Sequence, residues 1–96
     1  MTTYERLHGM RDRIQETAQR HGVTRIRVFG SVARQEDSPQ SDIDFLVVVG
    51  SRTTPWFPAG LILELEDLLG RPVEIVTERS LNPLVRQRVL EEAIPL

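Results

Sequence analysis

The sequence lacks cysteine, long apolar runs and an excess of positive charge, and each absence excludes a class of protein. Without cysteine among its 96 residues, the chain has neither a disulfide framework nor a thiolate zinc site. No apolar run approaches the roughly 20 residues that cross a bilayer, and residues 1–10 lack the apolar stretch of a signal peptide. The formal net charge of −2 gives no sign of non-specific nucleic-acid binding. We therefore expect one cytoplasmic domain over residues 1–96 that binds neither membranes nor nucleic acid directly.

The spacing of apolar residues predicts an α/β (α+β) domain in which about four helices pack on a small sheet of about three strands. A capping-box pattern at Thr2 and Glu5 predicts a first helix over residues 3–20. Period-two apolar patterns predict the strands, and period-3.6 patterns bounded by Gly, Asn and Pro predict the other helices. The strands are expected at 25–30, 42–49 and 71–77, and these helices at 31–36, 59–70 and 83–93.

Several side chains outside the main motifs have two open interpretations. Trp56 and Phe57 either stack on a nucleotide base or close the open end of the core. Arg86 and Arg88 on the last helix are interpreted as solvated, with triphosphate or partner binding as the alternative. Four apolar residues in and before the last helix are assigned to the core, namely Leu81, Leu84, Val85 and Val89.

Asp42 and Asp44 stand at the start of the second predicted strand. Residues two apart in a strand project from the same face, so the two carboxylates point the same way. Like charges this close repel each other and raise the free energy of the ionised pair. A divalent cation reverses that repulsion, and Mg²⁺ takes carboxylate oxygens together with water and substrate phosphates. The pattern therefore predicts a magnesium site.

Glu74 is a third acid, in the middle of the apolar segment "PVEIV". If the third strand neighbours the second, Glu74 lies roughly 5 Å across from the aspartate pair. Three carboxylates can hold two metal ions about 3.5–4 Å apart, which is the arrangement used for in-line nucleotidyl transfer. We therefore assign Asp42, Asp44 and Glu74 as catalytic residues and metal ligands.

Gly30 and Ser31 lie where a predicted strand meets a predicted helix. Free backbone N–H groups are available at such a junction, and glycine lets a phosphate approach the backbone closely. Arg34 either places a charge near the same phosphates or pairs with Asp37. Each motif alone is more often a turn, a cap or an edge residue. Their order within one segment favours a phosphate site at Gly30, Ser31 and Arg34 beside the metal-binding acids.

The segments "GSVAR" and "SDIDFLV" resemble the motif pair of the minimal nucleotidyltransferases (MNT), a branch of the DNA polymerase beta superfamily. The resemblance implies the nucleotidyltransferase fold, with a mixed sheet, and the Mg²⁺-dependent transfer of AMP from ATP to an acceptor hydroxyl. Many members of that family are paired with a HEPN-domain toxin and act as its antitoxin, in some cases by adenylylating a tyrosine. The resemblance implies this partner and this role for the present chain.

Two positions depart from the family pattern. Gln35 stands where the family often has Gly, which costs on the order of 1 kcal/mol if the backbone there is left-handed. Glu74 stands where the family commonly has Asp, so its carboxylate is displaced by one methylene. Two alternatives to a protein-modifying enzyme therefore stay open. One is an inactive antitoxin that neutralises its toxin by binding, and the other is a transferase acting alone on a small molecule or an RNA end.

Overall fold

A computed structural model describes all 96 residues and contains five α-helices and four strands. The helices are α1 (Thr3–Gly9), α2 (Arg11–Arg20), α3 (Gly30–Ala33), α4 (Ala59–Leu69) and α5 (Pro83–Glu92). The strands are β1 (Val23–Phe29), β2 (Ile43–Val49), β3 (Val73–Thr77) and β4 (Ile94–Pro95), and a short 3-10 helix covers Glu78–Ser80. None of the helices has the length and hydropathy needed to cross a bilayer.

The strands form one mixed sheet in the order β3-β2-β1-β4. The central strand β2 runs antiparallel to β1 and parallel to β3, since α4 provides the crossover that a parallel pair requires. The two-residue strand β4 adds antiparallel to β1 and was not predicted. The predicted α/β class and mixed sheet are confirmed, with four strands in place of about three.

One face of the sheet carries the main core. Ile43, Phe45 and Val47 alternate along β2 and are fully buried, as period-two alternation requires. Helices α1, α2 and α4 cover them with their own buried apolar side chains, which include Leu7, Ile14, Leu61, Leu65 and Leu69. On the opposite face Leu46 is also fully buried, and Asp44 lies on that face two residues earlier in β2.

The predicted single helix over residues 3–20 is wrong, because the structure breaks it at Met10. The φ of −106° and ψ of 12° at Met10 leave the helical region, and α2 begins at the next residue. Gly9 precedes the break, and glycine costs a helix about 1 kcal/mol relative to alanine. Leu7 in α1 and Ile14 in α2 are both fully buried. Both helices therefore still present an apolar side to the core.

The last helix differs from its prediction in packing rather than in position. Asn82 caps it by accepting a hydrogen bond from the N–H of Leu84 at 2.9 Å, and Pro83 is its first residue, as expected. The assignment of Leu84 and Val85 to the core is wrong, because they are 92% and 42% exposed, whereas Leu81 and Val89 are half-buried. No residue of α5 is buried, since the helix lies outside the main core and lines the cavity described below.

The assignment of the buried face of α4 can be tested by mutation. We expect Leu65→Ala to lower the free energy of unfolding by about 3 kcal/mol, because it removes a fully buried side chain and leaves a cavity. The matched control is Leu63→Ala on the same helix, where the side chain is 66% exposed. The measurement is urea denaturation followed by circular dichroism. Equal losses for the two variants would contradict the assigned face of α4.

Candidate active site

The turn at Gly30 joins β1 to α3 and has a backbone that other residues tolerate poorly. Gly30 is buried and has a φ of +72°, in the left-handed region that favours glycine. A Cβ at this position would lie 2.1 Å from Oδ2 of Asp44. The carboxylate of Asp44 therefore packs directly against the backbone of the turn, and only glycine leaves room for it.

Asp44 and Glu74 lie side by side on the face of the sheet opposite the main core. In the register of the sheet, Asp44 pairs with Phe29 of β1 on one side and with Glu74 of β3 on the other. Cross-strand partners share a face and lie close together. The expected adjacency of the second and third strands, and of their acids, is what the structure shows.

The pKa of Asp44 reflects this arrangement. Burial raises it, the negative charge of Glu74 and then that of Asp42 raise it further, and only Arg34 opposes the shift, so the pKa reaches about 6. Ionising a partly buried carboxyl costs free energy when no nearby cation compensates for the lost hydration. The Asp44 carboxylate is thus in an environment that favours either a proton or a bound cation.

Asp42 lies just before β2 and, like Glu74, is exposed. No three acidic or histidine side chains are gathered into one metal-binding cluster. The residues nevertheless fit Mg²⁺, because all are hard oxygen donors and because the charges of Glu74 and Asp42 both act on Asp44. The structure places two of the three predicted acids together and leaves Asp42 at their edge.

Arg34 lies next to the turn but does not pair with Asp37, which corrects one of its two predicted interactions. Its guanidinium binds Glu92 at 2.6 Å and Glu36 at 3.1 Å. Asp37 is held instead by Arg71 at 3.1 Å and by the hydroxyl of Thr3 at 2.6 Å. Arg34 lines the same cavity as Gly30, and its assignment to phosphate binding stays a prediction.

An open cavity of about 400 Å³ brings these groups together. The wall formed by β1, α3 and β2 includes Gly30, Ser31, Arg34 and Asp44, and α5 supplies the opposite wall with Val85, Arg88, Val89 and Glu92. Arg88 is exposed, as predicted for a solvated residue, and it also lines the cavity, so the alternative of phosphate or partner binding stays a prediction. Glu92 was not predicted, and its only signal in the sequence is that it lies one helical turn after Arg88.

The backbone at Gln35 and the position of Trp56 bear on two further expectations. Gln35 has a φ of +59°, so the left-handed conformation considered for this position is present. Trp56 is 87% exposed in the loop after the far end of β2, whereas Asp44 lies near its start. Trp56 therefore neither closes the core nor lies near the cavity, while its neighbour Phe57 packs partly against the core.

A family model described as a nucleotidyltransferase domain matches residues 10–96. A solved structure of a candidate minimal nucleotidyltransferase superimposes with a TM-score of 0.85 and 48% identity, over 100% of this chain and 97% of the other. The protein adenylyltransferase MntA of Thermococcus cleftensis is 38% identical over 82 residues, 83% of this chain and 81% of the relative. The chain therefore belongs to the minimal nucleotidyltransferases, and it is a nucleotidyltransferase enzyme.

A more distant structure shares the fold. It is a toxin–antitoxin crystallised with AMP-PNP, with a TM-score of 0.74 and 22% identity, over 88% of this chain and 69% of the other. At that identity the likeness shows the fold alone. The fold is thus one that occurs in a toxin–antitoxin complex.

The packing at Gly30 generates one prediction. We expect Gly30→Ala to destabilise the protein by about 2 kcal/mol or more, because the new methyl group overlaps the Asp44 carboxylate and the φ becomes strained. Gly9→Ala is the control, since a Cβ there meets nothing within 4 Å. The thermal midpoint of each variant, measured by circular dichroism, makes the comparison. A Gly30→Ala protein as stable as Gly9→Ala would contradict the close approach.

The environment of Asp44 generates a second prediction, on pH. A raised folded-state pKa means that this group favours folding below its ordinary pKa. This contribution to stability is lost as the pH rises through about 6. We therefore expect Asp44→Asn to be more stable than the wild type at pH 7.5 in EDTA, by about 1 kcal/mol after allowance for solvent screening. The gain disappears near pH 4, where the wild-type carboxyl is protonated.

Urea denaturation at the two pH values measures this difference. Asp67→Asn is the matched control, because it removes the same charge from an exposed position of α4 that is not among the groups acting on Asp44, and it should change stability little at either pH. An Asp44→Asn protein no more stable than the wild type at pH 7.5 would show that ionising the Asp44 carboxyl does not destabilise the folded state.

Proposed function

We propose that this chain transfers the AMP group of ATP, with Mg²⁺, to a hydroxyl of a partner toxin and thereby acts as its antitoxin. The proposed acceptor is a tyrosine of a HEPN-domain protein, and the proposed metal content is two ions. One observation carries the proposal: the paired acids Asp44 and Glu74 lie beside the Gly30–Ser31 turn, and the turn and Asp44 line the same cavity. Metal-binding acids next to an anion-binding turn suit a metal–triphosphate substrate.

The roles of the residues follow from their positions. The N–H of Gly30, the hydroxyl of Ser31 and the guanidinium of Arg34 bind the phosphates. Asp42, Asp44 and Glu74 would hold Mg²⁺, which neutralises charge on the phosphates and the leaving group when bound. The acceptor oxygen forms a bond to the α-phosphorus as the bond to the oxygen bridging the β-phosphate breaks and pyrophosphate leaves. The Glu74 carboxylate accepts the proton of the acceptor hydroxyl.

A protein acceptor is supported by the surface beside the cavity. Val85 lines the cavity and is partly exposed, and its neighbour Leu84 is almost fully exposed. Exposed apolar side chains grouped near a site are typical of protein-binding surfaces. The relative named as a protein adenylyltransferase favours the same class of acceptor.

A second function is favoured by two observations. Glu74 replaces the aspartate common in the family, and the carboxylate of Glu92 lies on Gly30 and Arg34, where a phosphate is expected. Both features suit a protein that has kept the fold but lost the reaction. In that case the chain neutralises its toxin by stoichiometric binding, and Asp44→Ala still protects cells that express the toxin.

The test is the intact mass of the partner after co-expression with wild-type protein. We expect a gain of one or more AMP units, and no gain with Asp42→Ala/Asp44→Ala. Glu74→Gln should reduce the rate of transfer by about 10²-fold or more, because it removes the proton acceptor, whereas Glu74→Asp should retain transfer.

Two controls make the result interpretable. Asp67→Ala removes an exposed acid of α4 and should leave the mass gain unchanged, and co-purification reports whether each variant still binds the partner. A complex that forms without any mass gain in the wild type would refute the enzymatic proposal and favour the binding function.

A further inference from the structure

The phosphate-binding groups of the turn already hold an anion, and that anion is part of the chain. The N–H of Gly30 donates to Oε2 of Glu92 at 2.8 Å, and Nη1 of Arg34 donates to Oε1 at 2.6 Å. The side chain of Glu92 is only 16% exposed. One carboxylate therefore spans the two donors that were assigned to phosphate from the sequence.

The state of Glu92 is that of a bound anion. Burial raises its pKa, but the hydrogen bonds from Arg34 and from the N–H of Gly30 outweigh burial, and the pKa lies below its ordinary value. Charge-assisted hydrogen bonds of this kind are among the stronger ones in proteins. The contact is thus a specific one between an ionised acid and the turn.

The same donors cannot serve two anions. A backbone N–H carries one hydrogen, and when that hydrogen points at Glu92 it does not point at a phosphate oxygen. A carboxylate in this position also repels an incoming triphosphate. Binding of a phosphate at Gly30 therefore requires Glu92 to leave.

The position of Glu92 allows such a displacement. It is the last residue of α5, a helix with no buried residue, so its movement exposes little apolar surface. Elements with few buried contacts open at low free-energy cost. Arg88, one turn earlier, lines the same cavity and belongs to none of the ion pairs of the structure, so α5 retains a cation for the phosphates when Glu92 is displaced.

We infer that Glu92 sets the affinity for nucleotide by occupying the phosphate position between Gly30 and Arg34 until a triphosphate displaces it. The inference rests on the proposed function, because it takes the Gly30–Ser31 turn as the phosphate site. It makes Glu92 an internal competitor of the substrate. The opposite role, in which Glu92 holds Arg34 ready for the phosphate, predicts an effect of opposite sign.

The experiment measures binding of AMP-PNP with Mg²⁺ by isothermal titration calorimetry. We expect Glu92→Gln to bind the nucleotide about three- to tenfold more tightly than the wild type. In the wild type, molecules whose phosphate position is filled by Glu92 cannot bind and raise the apparent Kd, and the substitution removes this state. Glu91→Gln is the matched control, since it removes the same charge from an exposed neighbour on the same helix and should leave the Kd unchanged.

A second readout separates this inference from a loss of folding. Without nucleotide, Glu92→Gln should melt at a lower temperature than Glu91→Gln, because the contact to the turn is lost. With saturating AMP-PNP its melting temperature should rise by more than that of the wild type. Unchanged or weaker binding by folded Glu92→Gln overturns the inference while leaving the proposed function in place. If neither the wild type nor Glu92→Gln binds AMP-PNP, the proposed phosphate site fails, and the inference fails with it.

Discussion

The approach of the Asp44 carboxylate to the backbone of Gly30 is the constraint on which the site depends. The φ of +72° at Gly30 turns the chain from β1 into α3 and directs its N–H to an anion, which in this structure is the Glu92 carboxylate. The missing Cβ lets an acid of the central strand lie against the same turn. An acid suited to a cation and an N–H suited to an anion are thus neighbours, which is what a metal–phosphate substrate needs.

The two acids nearest the turn show how surroundings decide the behaviour of a carboxylate. Burial raises the pKa of both, but Glu92 also receives hydrogen bonds from Arg34 and Gly30, and its pKa falls. Asp44 has Glu74 and Asp42 as its main charged neighbours, and its pKa rises to about 6. For Asp44 the charge of Arg34 is the only opposing contribution, and it does not offset the others. The proposed magnesium ion would offset this cost.

The local sequence pattern predicted the features that depend mainly on residues close together in the chain. Period-two alternation and turn residues were sufficient for the strands, for the Gly30–Ser31 turn and for the pairing of Asp44 with Glu74, given neighbouring strands. The break at Met10 and the exposure of Leu84 depend instead on how α1, α2 and α5 pack against the rest of the fold. Glu92 contacts partners 62 and 58 residues earlier in the chain. Nothing in the residues around it indicates that contact.

The two faces of the sheet have different roles, since one carries the main core and the other carries the candidate site. Ile43, Phe45 and Val47 anchor the core on one face, while Asp44, one position out of phase, faces the cavity. Because successive strand residues alternate, one strand serves both purposes without compromise in its packing. The helix that completes the cavity, α5, contributes no buried residue. Polar contacts hold it at the cavity, among them those of Glu92 with Gly30 and Arg34 and that of Arg86 with the carbonyl of Glu78.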